Sequence, residues 1–291
     1  MRIPYFPGCT LCTKAKGFDT SARASARALG IELVELPQWN CCGATFPLAT
    51  DNLLALVAPT RILLEAQRQG ERLATLCSIC YNVLKRTNRL LRENEEKREK
   101  INLFIEEEYK GEVRVLHLLE ILRDEVGFEK LKERVEKRLE GLKVAPYYGC
   151  LLLRPQGEIG LDDPDDPTIL HDLLRSLGCE VVDFPFKTEC CGSYLAVSSA
   201  AVTTELSYNI LSSALREGAE VVVTSCPLCQ FNLDYRQERM RKEHSGFSFI
   251  PILYFTQLLG IALGLDSGDY GFEKHYIDPR PLLAEKNLIA T

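Results

Sequence analysis

Short apolar runs rich in Val, Ile and Leu alternate along this chain with longer amphipathic stretches, and the alternation is laid out twice. In the first half it predicts strands over 2–6, 31–36 and 73–76, with helices near 20–29, 50–69 and from about 79. In the second half it predicts strands over 143–148, 180–184 and 220–224, with helices over 167–177, 200–217 and from about 228. A fourth strand and helix follow in each half, in "EVRVLHLLEIL" from Glu112 and in "FSFIPILYFTQLLGIALGL" from Phe247. Strands separated by helices imply parallel sheets, because a parallel neighbour is reached only by carrying the chain back over the sheet face. The expected fold class is therefore α/β, as two pseudo-symmetric repeats, each a small parallel sheet flanked by helices. Sheets of this kind gather their ligands beyond the carboxyl ends of the strands.

The halves are joined by a segment of different character. Residues from about 84 to 141 read as a charged helical insertion and linker, which gives expected domains of 1–141 and 142–291. Within it Arg92 to Lys100 reads "RENEEKREK", with Glu93/Lys97 and Glu96/Lys100 at the i,i+4 spacing of a solvated helix face. Phe128, Leu131, Val135, Leu139 and Leu142 then form an amphipathic stripe. The 291 residues and 46% hydrophobic content suffice for two modest cores. The apolar run from Phe247 to Leu265 is interrupted by Gln257 and falls short of the roughly 20 apolar residues a bilayer span needs, so it is expected to be buried. A chain that opens directly into a strand, with no secretion signal, is expected in the cytoplasm with its twelve cysteines reduced. A net charge of −6 without a basic cluster argues against a nucleic-acid partner.

Cysteine spacing adds chemistry to this frame. Cys9 is followed after 31 residues by Cys41-Cys42 and after 34 more by Cys77-x-x-Cys80; Cys150 is followed after 39 by Cys190-Cys191 and after 34 more by Cys226-x-x-Cys229. A five-point pattern repeated with one interval identical indicates an internal duplication whose retained feature is a thiolate cage. A disulfide framework fits poorly, because each set is odd and adjacent cysteines are badly placed to pair. Zinc and a cubane iron–sulfur cluster each want four thiolates, one fewer than each set offers, so spacing alone leaves the metal open. Cys179 aligns with Ile31 and is expected in the core, while Cys12 has no counterpart, Leu153 standing at its offset. Gly8, Gly43, Gly149 and Gly192 flank the sets where tight turns are expected. His117 and His171, at the starts of helical runs, read as caps or packing groups.

The double pattern, with "YYGCLLLRP", "KTECCGSY", "CPLCQFNLDYRQ" and "PILYFTQLLGIALGLD" in the second copy, resembles the cysteine-rich CCG domain family and, within it, the B subunits of heterodisulfide reductases. The resemblance implies two iron–sulfur clusters of non-cubane [4Fe-4S] type. One would be held by Cys9, Cys41, Cys42, Cys77 and Cys80, the other by Cys150, Cys190, Cys191, Cys226 and Cys229. It further implies a catalytic subunit that reduces CoM-S-S-CoB to two thiols. Its expected partners are a ferredoxin-like iron–sulfur subunit, a flavin-containing subunit, and an electron-donating hydrogenase or formate dehydrogenase. No ferredoxin-type cysteine run is present to feed the clusters from within the chain. An anionic disulfide needs cations, for which Lys187, Arg154 and Lys14 are the candidates beside the cysteine loops. Two other readings stay open: an electron-transfer subunit of a lactate-, glycolate- or succinate-type oxidoreductase complex, and a zinc-stabilised interaction module.

Overall fold

The computed structural model describes residues 1–44, 46 and 52–290. In the first half lie β1 (Arg2–Phe6), α1 (Lys16–Ala28), β2 (Glu32–Glu35), α2 (Leu54–Gln69), β3 (Arg72–Thr75), α3 (Ser78–Glu93), α4 (Glu95–Ile105), β4 (Arg114–His117), α5 (Leu118–Ile121) and α6 (Phe128–Glu133). The second half contributes β5 (Lys143–Pro146), α7 (Gln156–Ile159), α8 (Ile169–Ser176), β6 (Glu180–Val181), α9 (Ala200–Arg216), β7 (Val221–Thr224), α10 (Pro227–Tyr235), α11 (Gln237–Glu243), β8 (Ile252–Tyr254), α12 (Phe255–Ala262) and α13 (Arg280–Glu285). The strands pair in the orders β2-β1-β3-β4 and β6-β5-β7-β8, and every described pairing is parallel. The α/β class and the two parallel sheets agree with the sequence pattern. The expected helix near 50–69 begins partly outside the described residues, and its described part is α2.

Strand β3 sits beside β1 in the first sheet, as β7 sits beside β5 in the second, so the loops leaving β2, β1 and β3 open side by side on one rim. Those are the loops that carry Cys41-Cys42, Cys9 and Cys77. The fourth strands end in matched turns. His117 caps α5 by accepting from Leu119 N at 3.2 Å, while its own N–H donates to Glu120 at 2.8 Å. Tyr254 N donates in the same way to Gln257 Oε1 at 2.9 Å.

The two sheets are interlocked rather than strung together. Helix α12 packs on α1, where Ser21 Oγ meets Thr256 Oγ1 at 2.7 Å and Phe18 stacks on Tyr254 with centroids 4.2 Å apart. Helix α6 packs on α8, and α3 on α7. The stripe from Phe128 to Leu142 departs from a continuous helix. Leu131, Leu139 and Leu142 are buried as expected, but α6 spans only six residues. Beyond it the backbone leaves the helix because its N–H groups find other acceptors: Glu136 and Lys137 donate to Ala262 O, and Leu139 to Leu177 O. The linker thereby ties together the ends of α12 and α8.

The tail after Asp266 folds back over the first half. Gly271 lies so close to Gly17 of α1 that a Cβ on Gly17 would overlap the Gly271 carbonyl oxygen. Further along, Asp234 of α10 accepts from Tyr276 N at 2.8 Å and Ile277 N at 3.0 Å. Among the described residues no helix is long and apolar enough to cross a membrane.

Candidate metal centres

Each cysteine set converges because of where its strands end. Cys77 and Cys226 are the N-cap residues of α3 and α10, and Cys80 and Cys229 lie three residues on, which puts the two sulfurs of each pair on one face of the first helical turn. Pro227 suits the first helical position because its missing N–H would find no intrahelical partner there. The loop after β1 brings Cys9 Sγ to 3.9 Å from Cys41 Sγ, while Cys42 Sγ lies 3.5 Å from Cys80 Sγ. In the second half Cys191 Sγ lies 3.4 Å from Cys229 Sγ, and the Cys150 thiol bonds to Cys190. Asn40, the residue before Cys41, donates to Ala58 O at 3.0 Å and holds that loop on α2. Asn232 Nδ2 reaches Cys191 O at 3.3 Å and its sulfur at 3.6 Å. All twelve cysteines are free thiols.

The proton distribution repeats between the cages. The Cys80 thiol lowers Cys42 to about 7, and the Cys229 thiol lowers Cys191. Cys80 and Cys229 are correspondingly raised well above the ordinary thiol value, first by their hydrogen-bonded contacts with Cys42 and Cys191. Cys190 is lowered to about 6, chiefly by Cys150, whose own pKa is raised by the same bond and then by burial. Burial, followed by the charge of Cys41, pushes Cys9 up to about 11. Sulfurs this crowded cannot all ionise together unless a multiply charged cation compensates them.

Fit to such a group is tested by the backbone beside the sulfurs. Gly8 has φ +75° and a Cβ there would fall 2.9 Å from Cys80 Sγ; Gly149 has φ +64° and its Cβ would fall 3.3 Å from Cys229 Sγ. Both glycines thus keep clear a volume that a side chain would take from the sulfurs, and both hold a left-handed conformation that favours glycine. Among the described residues no set of three or more His, Cys, Asp or Glu side chains closes on a single metal ion. The sulfurs are disposed as pairs, and the ten residues Cys9, Cys41, Cys42, Cys77, Cys80, Cys150, Cys190, Cys191, Cys226 and Cys229 could hold a multinuclear group in each half. Cys12 stands outside: burial, then Glu35 and Asp19, raise its thiol, and it faces solvent. Cys179 is buried opposite the position of Ile31, and burial alone pushes it to about 12.

The Cys77 and Cys226 turns meet at the interface of the halves. Ser78, next to Cys77, meets Ser225, next to Cys226, at 2.9 Å between hydroxyl oxygens, and both are fully buried. Asn82 of α3 donates to Leu151 O at 2.8 Å and Arg154 O at 2.7 Å in the Cys150 loop. Two tyrosines that sequence reasoning passed over stand between the cages. Tyr194 donates to Ala44 O at 3.3 Å, joining one Cys-Cys-Gly loop to the other. Burial raises the Tyr254 hydroxyl well above its usual pKa, and Cys226 and Cys77, one from each cage, raise it further. A Tyr at the carboxyl end of the fourth strand was the only signal available in the sequence.

The three candidate cations fare differently. Lys187 is buried, and its ammonium donates to Asp183 at 2.9 Å and Asp166 at 3.0 Å. Its charge is paired within its own loop. Arg154 is exposed and donates at 3.4–3.5 Å to Pro164 O, Thr188 O and Thr188 Oγ1. Lys14 is exposed and lines a cavity at the seam of the halves. His117 and His171 are structural, as expected: His171 Nδ1 bonds to Tyr148 Oη at 2.7 Å and its Nε2 to Asp183 at 3.2 Å.

Duplicated parallel sheets with five thiols gathered at each rim define a class of thiol-rich redox proteins. The pattern of the cysteine-rich domain family CCG matches this chain twice, over residues 3–85 and 144–234, and the chain belongs to that family. It is 35% identical over 281 residues to the 8-methylmenaquinol:fumarate reductase membrane anchor subunit of Wolinella succinogenes, covering 96% of this chain and 98% of that one. It is 31% identical over 290 residues to the B subunit of the ferredoxin/F420H2-dependent CoB-CoM heterodisulfide reductase of Methanosarcina acetivorans, covering 98% and 96%. A protein of Archaeoglobus profundus named for its likeness to the heterodisulfide reductase B subunit is 31% identical, covering 90% of each. A crystal structure of a hypothetical protein from Helicobacter pylori matches with a TM-score of 0.76 at 14% identity, which bears on the fold alone; this chain spans 51% of its length. Family and thiols together support an iron–sulfur redox subunit of a multi-subunit oxidoreductase.

Proposed function

We propose that this chain is the catalytic subunit of a heterodisulfide reductase complex and works in the cytoplasm. The observation that carries the reading is the direct contact of one turn from each cage, with Ser78 and Ser225 bonded at 2.9 Å between the Cys77 and Cys226 turns. Reducing CoM-S-S-CoB breaks one S–S bond and consumes two electrons and two protons, yielding two thiols. Two one-electron centres side by side suit that stoichiometry better than either alone. When bound, the two non-cubane [4Fe-4S] clusters would supply those electrons and a Lewis-acidic iron for sulfur. The ten cage cysteines would hold them, and the interface would keep the halves at fixed separation. Electrons would come through a ferredoxin-like iron–sulfur subunit, with a flavin-containing subunit, then a hydrogenase or formate dehydrogenase, behind it.

Anaerobic protein should carry about eight irons, four per cage, and its paramagnetic signal after partial oxidation should change on adding coenzyme M or coenzyme B thiol. Zinc at one or two per chain would move the reading to an interaction module. The 35% identity to a subunit of a fumarate reductase favours one other reading, an electron-transfer subunit of a succinate-type oxidoreductase complex. Iron at the expected level with thiol-insensitive spectra would favour that reading.

A further inference from the structure

A cavity of about 520 Å³ opens at the seam, between the Cys9 loop of one half and α10 of the other, and the tail closes its outer side. Two of its lining residues neighbour the cages along the chain: Thr10 follows Cys9, and Leu228 lies between Cys226 and Cys229. At the back stands Tyr254, whose hydroxyl donates to Gln230 Oε1 at 3.4 Å. An aromatic wall runs outward from there: Phe231 stacks on Tyr235 at 5.0 Å, Tyr235 meets Tyr276 at 4.9 Å, and the outer two rings are half exposed. Lys14 and Lys274 stand on the lining, and among the described residues neither meets a carboxylate. One carboxylate, Glu273, shares this lining beside Lys274, so the cations outnumber it two to one. A second seam cavity, of about 610 Å³ beside Tyr194 and Leu151, has no such charge, because its Arg86 is held by both oxygens of Glu158 at 2.9 and 3.2 Å.

We propose that the first cavity is a binding site for an organic anion with an apolar body, its anionic end on Lys14 and Lys274, its body along Phe231 and Tyr276, and its inner end at Tyr254 between the cages. Two ammonium groups against one carboxylate, over an apolar wall, favour such a molecule over a cation or a neutral polar one. As a binding site it stands by itself; that the anion is one arm of the disulfide rests on the function proposed above. The same asymmetry would fix which end of an unsymmetrical disulfide enters from this side.

The test uses hexyl phosphate as probe with the full chain purified anaerobically, and calorimetry as readout. Wild-type protein should bind it saturably, hexyltrimethylammonium should not bind, and Lys14→Ala and Lys274→Ala should each weaken binding about tenfold. Bound probe should also protect Lys14 and Lys274, but not Lys242, from acetylation. Undiminished affinity in the Lys14→Ala/Lys274→Ala double variant would overturn the proposal, as would equal binding of the cationic probe. Competition by phosphatidylglycerol vesicles would also overturn it, by making the lysines part of a lipid-facing surface. Iron content and disulfide turnover are read separately. Turnover without probe binding sinks the cavity and spares the function, whereas probe binding without turnover does the reverse.

Discussion

Gly8 and Cys80 illustrate how little room each cage leaves. An added methyl at Gly8 would lie 2.9 Å from the sulfur in a backbone already at φ +75°, so Gly8→Ala must move the thiol as well as strain the turn. That variant should lose the iron of its own half while the second half keeps its complement; Gly149→Ala, at 3.3 Å, should lose less. Iron and acid-labile sulfide per chain decide this, and full iron in Gly8→Ala would refute the cradle argument. Cys42→Ser and Cys191→Ser should each halve the iron and abolish disulfide reduction. At this scale the thiols were legible in the sequence, since five-point spacing survives any fold. The role of Lys187 was not, because Asp166 and Asp183 reach it through loop geometry that spacing does not encode.

Elements were legible where the apolar period ran uninterrupted, and less so where backbone groups found partners across the molecule, as in the linker at Glu136 and Lys137. The tail carries too weak a pattern to read, yet it is fixed by the Gly17–Gly271 contact and by Asp234. Gly17→Ala would force a Cβ onto a carbonyl oxygen, and should cost about 1–3 kcal/mol as an overpacking change. Trypsin should then cut at Lys274 much faster than in the wild type. The element ends also carry a pH signature. Burial lowers His117 and His275 to about 4, so each stays neutral in the fold while the unfolded chain takes up a proton near 6.5. Their contribution is complete above about pH 6.5 and is lost as pH falls toward 4, each by up to about 3 kcal/mol. Denaturant midpoints at pH 7 and pH 5 should show that fall, and His117→Asn should reduce it; an unchanged pH dependence would refute the assignment.

For the whole molecule, the seam decides behaviour. Asn82 makes two backbone bonds across it from a position only 2% exposed, so Asn82→Ala should cost about 1–3 kcal/mol by removing two part-buried hydrogen bonds. Because α12 packs on α1 and α6 on α8, the halves should unfold in one transition, which coincident calorimetric and spectroscopic curves would show. Two separate transitions would contradict the interlock. None of this was legible beforehand: a duplicated sequence reveals two copies but not that each lends a helix to the other.

That exchange of helices bears on ancestry. The Ser78–Ser225 contact joins equivalent positions of the two repeats, as the self-complementary interface of a symmetric dimer of single-repeat chains would. Joining two such chains into one polypeptide keeps the contact and releases the copies from being identical. The differences include the tail over one seam cavity and Lys14 and Lys274 on its lining, where that freedom is useful. A homodimer must offer both ends of a ligand the same surroundings; its fused descendant can tell left from right.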